Sequence, residues 1–265
     1  MSQSPSPVNQ TFSLARFGRL FGRHTAEHLR SYLMTAAVGA GGMMLVMGFL
    51  TYLQKSAPSQ SVQNVLFTLF LLSGGSIFAS TVFSQFGDKR QATVALLLPA
   101  SHLEKYLVAW LYSLPLFLLV FVPLFYLADA AVVYAGAAPG QTPELLNLFA
   151  DSGAASNIFW SLTMLHAVAL WGAIYFEKAH FIKTAFVVFG LLAVLSVLNH
   201  QALKVLVSPG VRPMPVFTKV MFTEADKFYS LDLPAAQTAW LALVPVGLAA
   251  LLWAAAYFRV TEKQL

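Results

Sequence analysis

Polar and apolar positions alternate along this chain in blocks of tens of residues, not in the short periods of a soluble fold. Six windows are apolar over about the 20 residues that a membrane-crossing helix requires. They run roughly from Tyr32 to Leu53, Val62 to Phe83, Leu103 to Ala128, Ser156 to Tyr175, Thr184 to Asn199 and Ala236 to Phe258. The fifth is the shortest, and the pattern allows it to continue into Leu203 to Val207 despite Lys204. A finer period emerges only ahead of the first window. There Leu14, Phe17, Leu20 and Phe21 cluster on one side of a helix, while Arg16, Arg19, Arg23 and Arg30 recur on another. This predicts an amphipathic helix in the interface plane, with its apolar face among acyl chains and its arginines at anionic headgroups. The expected fold is an all-α integral membrane protein. Residues 1–30 form a polar terminus plus the interfacial helix, and residues 31–265 form a six-helix transmembrane domain.

Composition agrees: 58% of the residues are hydrophobic and 10% charged, against about 25% charged in an average soluble protein. The net charge of +5 is read as topology, not as a surface for nucleic acid. With the amino terminus inside, Arg16, Arg19, Arg23, Arg30, Lys89, Arg90, Lys105, Lys178, Lys183, Arg259 and Lys263 are cytoplasmic. Lys55, Lys204, Arg212, Lys219 and Lys227 are outside, and the outer loop from Asp129 to Ala155 has no Lys or Arg. Both termini are therefore expected in the cytoplasm and the chain in the cell (inner) membrane. The opening MSQSPSPVNQTF lacks a basic segment leading into a short apolar core, so a cleaved secretory signal is not expected. The absence of cysteine excludes disulfides and thiolate chemistry.

Candidate chemistry is sparse. HTAEH formally matches a zinc-protease pattern through His24, Glu27 and His28, but a catalytic zinc needs a third protein ligand and an open position. Glu27 more simply pairs with Arg23 and Arg30 at helical spacings. No metal site is expected. His166 stands mid-span, where an ionisable group is a functional hypothesis by default; the alternative is a neutral imidazole bonded to a neighbouring helix. Small residues in the first two spans (Gly39, Gly41, Gly42, Gly48, Ser73, Gly74, Gly75, Ser76, Ser80, Ser84) permit close helix approach. Pro115, Pro123 and Pro245 invite kinks, and Trp240, Trp253 and Tyr257 read as interface anchors. There is no P-loop for ATP. Carboxylates are few, Asp129 at the outer end of the third span and Glu177 at the inner end of the fourth, which argues against a stand-alone ion-driven transporter.

The connector DKRQATVALLLPASHLEKY carries the strongest functional signal. Pro99 disfavours helix at Leu98, and Ser101 with Glu104 then forms a capping box that starts a new helix. The segment before it places Val94, Leu96, Leu97 and Leu98 beside Asp88, Lys89 and Arg90. An apolar knob rimmed by charge has the composition of a docking site, although such leucines also dip into lipid.

Six spans, an amphipathic amino-terminal helix, this connector and a long outer segment before the sixth span together resemble the permease subunit of an ABC-2 type ABC transporter. FGDKRQATVALLLPASHLEKYL also resembles a tract of bacterial permease-like proteins in which a Leu-Pro-Ala-Ser turn precedes Glu-Lys. The resemblance implies that Asp88, Lys89, Arg90, Val94, Leu96, Leu97 and Leu98 are the element coupling to an ATPase. It also implies that Arg16, Phe17, Arg19, Leu20, Phe21 and Arg23 belong to an elbow helix, and that Ser208 to Leu233 is an outer re-entrant region. The outer region is expected as a lid of short helices or as a folded surface loop. The implied partners are an ABC ATPase subunit, which binds ATP and Mg, a second permease subunit (identical or related), and membrane lipids. No cofactor is expected on this chain and no enzymatic activity of its own. Two other classes remain open at this point: a membrane-embedded zinc hydrolase using His24, Glu27, His28 or His166, and a non-catalytic scaffold or assembly factor.

Overall fold

The computed structural model describes residues 12–87, 100–148, 152–176, 178–213, 220–224, 227–231 and 235–262. Six helices in them are long and apolar enough to cross a membrane, so the chain is a helical multi-pass membrane protein. Helix α1 spans Leu14–Gln54 and ends where Lys55 turns left-handed at φ 53°. Helix α2 spans Gln60–Gly87. Helix α3, His102–Gly136, is α-helical to Leu111, widens into a π-helical turn over Tyr112–Leu116, and is α-helical again from Phe117. Pro115 lies inside that wide turn; a proline lacks the N–H that a regular helix would use, and π-bulges are a known source of helix bending. Helix α4 is Ser152–Tyr175, α5 is His180–Leu206 and α6 is Ala235–Glu262. The fifth apolar run does extend past Lys204.

One expectation requires correction. A separate interfacial helix is not what residues 12–30 form, because α1 continues without interruption through Arg30 into the first span. Nothing between Gly22 and Gly39 breaks a helix, and 41 residues give a rod of about 60 Å. Its contacts follow α3 in parallel. Arg16 meets Glu104, Thr25 meets Tyr112, and near the far end a side chain on Gly136 would collide with Thr51. The apolar stripe is thus partly used against α3.

The all-α class holds for the membrane-spanning part, and one short β-hairpin is added to it. Strands β1 (Val220–Glu224) and β2 (Lys227–Leu231) pair antiparallel, from Val220 with Leu231 to Glu224 with Lys227. Short segments with aromatic and β-branched residues favour such pairing. Val211 bridges Phe222 on the other side of β1, and Gly210 lies so close to the Thr223 carbonyl that no side chain would fit. The described part of residues 208–233, expected as a lid of short helices or a folded surface loop, contains a hairpin and no helix.

The core lies between α1, α2, α3, α4 and α6. Near the α1–α2 loop, Met47, Phe67, Leu71, Phe121, Phe125 and Leu162 pack together. Toward the opposite end, Phe83, Tyr106, Leu170, Ile174, Ala256 and Val260 do the same. Small residues bring the helices close: a Cβ at Gly75 would stand 2.8 Å from Leu162 Cδ1, and one at Gly172 would overlap Thr184. Helix α5, held at Thr184, leaves Phe186, Phe189 and Leu198 exposed; in a bilayer such a surface needs no covering, since lipid tails are as apolar as leucine.

Candidate functional site: a clamp, a relay and a strapped loop

At the end where α1 and α3 begin, the predicted capping box is complete. Glu104 N–H donates to Ser101 Oγ at 3.2 Å, and Ser101 N–H donates to Glu104 Oε2 at 2.9 Å. The remaining oxygen, Oε1, accepts from Ser13 N–H at 2.6 Å and from Arg16 Nη2 at 3.2 Å. One carboxylate, 0% exposed, therefore caps the first turn of α3 and holds the start of α1 against it. Breaking a buried ion pair by removing one partner typically costs about 3–5 kcal/mol, so this is a rigid joint between the two helices. It begins directly after the connector, at Ala100 and Ser101. The connector residues Asp88, Lys89, Arg90, Val94, Leu96, Leu97 and Leu98 lie outside the described residues.

The amino-terminal residues divide by face. Arg16 is spent on Glu104, and Phe21 packs on Tyr112 with ring centroids 5.0 Å apart. Phe17 sits between Phe12 and Phe21, and Leu20 is half-buried. Arg19 and Arg23 are exposed; Arg23 pairs with Glu27 at 2.6 Å. His24 and His28 do not converge on a point. Their rings stack at 4.3 Å, His24 Nε2 bonds Tyr32 Oη at 2.8 Å, and His28 Nδ1 donates to the His24 carbonyl at 3.1 Å. Among the described residues no three His, Asp or Glu side chains are grouped to hold a metal.

His166 is buried at a junction of three helices. Trp253 Nε1–H of α6 donates to its Nδ1 at 3.2 Å, and its Nε2 lies 2.8 Å from Ser113 Oγ of α3. An indole can only donate, so Nδ1 accepts and the neutral ring carries its proton on Nε2. Ser113 accepts that proton's hydrogen bond and passes its own to the Trp110 carbonyl at 3.2 Å. The chain is saturated from Trp253 to Trp110. With Nε2 already protonated, His166 has no free lone pair with which to activate Ser113, so the arrangement is a tie across α3, α4 and α6. Trp253, expected as an interface anchor, is one of its members.

The opposite end holds what sequence reasoning missed. Residues 137–148 fold over the helix ends, with Leu146 and Leu148 buried in the core. Gln141 bonds both backbone groups of Ala57, accepting from its N–H at 3.1 Å and donating to its carbonyl at 3.2 Å. Gln63 donates to the carbonyls of Pro58 and Glu144, at 2.8 and 2.9 Å. Leu146 N–H donates to Asp129 Oδ2 at 3.2 Å. Asp129 is not at the end of its helix, because α3 continues two turns further to Gly136. Among the described residues the 137–148 loop covers this end; its signals were Gln63 and Gln141, placed where amides can strap backbone, and Gln60, which meets the Glu144 carboxylate.

No family model, curated protein or solved structure matches this chain.

Proposed function

We propose that the chain is the transmembrane permease subunit of an ATP-driven exporter of the ABC-2 type, in the cell membrane with both termini cytoplasmic. It works beside a second permease subunit and draws its energy from a separate ATPase that binds ATP and Mg. The observation that carries this reading is the joint at Glu104. A docking surface can drive a membrane domain only if its displacement reaches the spans, and the connector ending at Pro99 runs straight into the residues that bind α3 to α1. A push on Asp88 to Leu98 would move α1 and α3 together. The saturated His166 tie and the absence of a P-loop agree with chemistry performed elsewhere. Leu96→Glu and Leu97→Glu variants are expected to reach the membrane normally but lose the ATPase in co-purification. Full retention of the ATPase in both variants overturns the proposal.

A further inference from the structure

Two buried oxygens under the strapped loop have no donor: Asp129 Oδ1 and Gln63 Oε1. Both residues are 0% exposed. Helices α2 and α3 are antiparallel here, since Phe78 packs on Phe117 and Phe67 on Phe125. One turn further from the Phe67–Phe125 contact, Gln63 on α2 stands at the same level as Asp129 on α3. Each also holds the same short stretch of chain, Gln63 at the Glu144 carbonyl and Asp129 at the Leu146 N–H. Rotating the Gln63 amide would not help. Its nitrogen already serves two carbonyls, and the flipped oxygen would face both of them.

Two acceptors under one loop, one of them a carboxylate with no cation beside it among the described residues, call for positive charge; an isolated buried carboxylate is strongly disfavoured. We propose that Asp129 and Gln63 form a binding site for one small positive charge, a proton or a sodium-sized cation, which latches the 137–148 loop over this end of the bundle. One carboxylate balances one such charge, and the amide oxygen adds a second ligand. Among the described residues no other ionisable group competes in the core. Helices α1 and α4 present Met47, Ile158 and Leu162 there; the Glu144 carboxylate is met on the surface by Gln60, and Lys55, Tyr52 and Tyr134 are exposed. Tyr126, on α3 itself, packs at the edge of the apolar cluster. The site is independent of the exporter reading.

The test is thermal unfolding of the purified full chain in nanodiscs. Sodium chloride is replaced stepwise by choline chloride at constant ionic strength, and pH is varied separately. A ligand that binds only the folded state raises the melting temperature with its concentration. A sodium-sized occupant gives a rise of several degrees with sodium. A proton gives the folded state one proton more than the unfolded chain holds, so the melting temperature falls as pH rises, without a sodium effect. In Asp129→Asn, whose amide can donate to Gln63 Oε1 without charge, the sodium effect should vanish, or the fall of the melting temperature with pH should weaken by the share of one carboxyl. Gln63→Glu, which adds a second carboxylate, should steepen the dependence and serves if the first variant does not fold. A melting temperature indifferent to both sodium and pH, or a dependence unchanged in these variants, overturns the proposal.

Discussion

The two ends of the bundle are held by opposite kinds of bonding. Where α1 and α3 begin, both oxygens of the Glu104 carboxylate are supplied with donors: two backbone N–H groups and a guanidinium. At the other end, glutamine amides strap a loop through neutral hydrogen bonds, and two buried oxygens go without a donor. A saturated ionic joint suits a part that transmits force without yielding. An undersupplied neutral strap suits a part that opens, or that waits for a ligand. The difference assigns rigidity to the connector end and adjustability to the loop end.

The largest expected effect attacks the joint. Glu104→Ala removes both caps and leaves Arg16 without its carboxylate, so it should destabilise the protein by about 3–5 kcal/mol, read as loss of folded protein in denaturant titration. Glu104→Gln, which keeps acceptor oxygen for one cap, should cost less. Equal costs would remove charge from the comparison. Next comes the strap: Gln63→Leu deletes two hydrogen bonds to carbonyls at about 1 kcal/mol each. Its expected loss of about 2 kcal/mol should come with faster proteolysis in 137–148. A loss equal to that of Glu104→Ala would erase the contrast between the ends. Trp253→Phe keeps an aromatic ring against His166 but loses one bond, about 0.6 kcal/mol in membrane helices, measured in the same titration. Arg23→Ala, at an exposed pair, should shift stability by no more than about 0.5 kcal/mol; a larger change would mean that the outer face of α1 is buried against a partner.

How far this was legible in the sequence depends on range. The capping box at Ser101 and Glu104 and the Arg23–Glu27 pair were readable because local helix geometry decides them. The apolar runs predicted all six spans, since length and hydropathy alone set what can cross a bilayer. The partnership of Arg16 with Glu104 was not readable. The residues are 88 positions apart, and an arginine beside a membrane is equally at home with a phosphate. The hairpin escaped because segments of five residues carry too few positions to show their period. The strapping loop was read only for its lack of basic residues. His166 was read with two possible roles, and its bonds to Trp253 and Ser113, 87 and 53 positions away, were not readable.

The proposed exporter role is tested most directly by purifying the tagged chain in mild detergent and identifying what accompanies it. The account predicts a stoichiometric soluble ATPase with a P-loop, retained in Glu104→Gln and lost in Leu97→Glu. A chain that purifies alone, under conditions in which known membrane complexes survive, would contradict it.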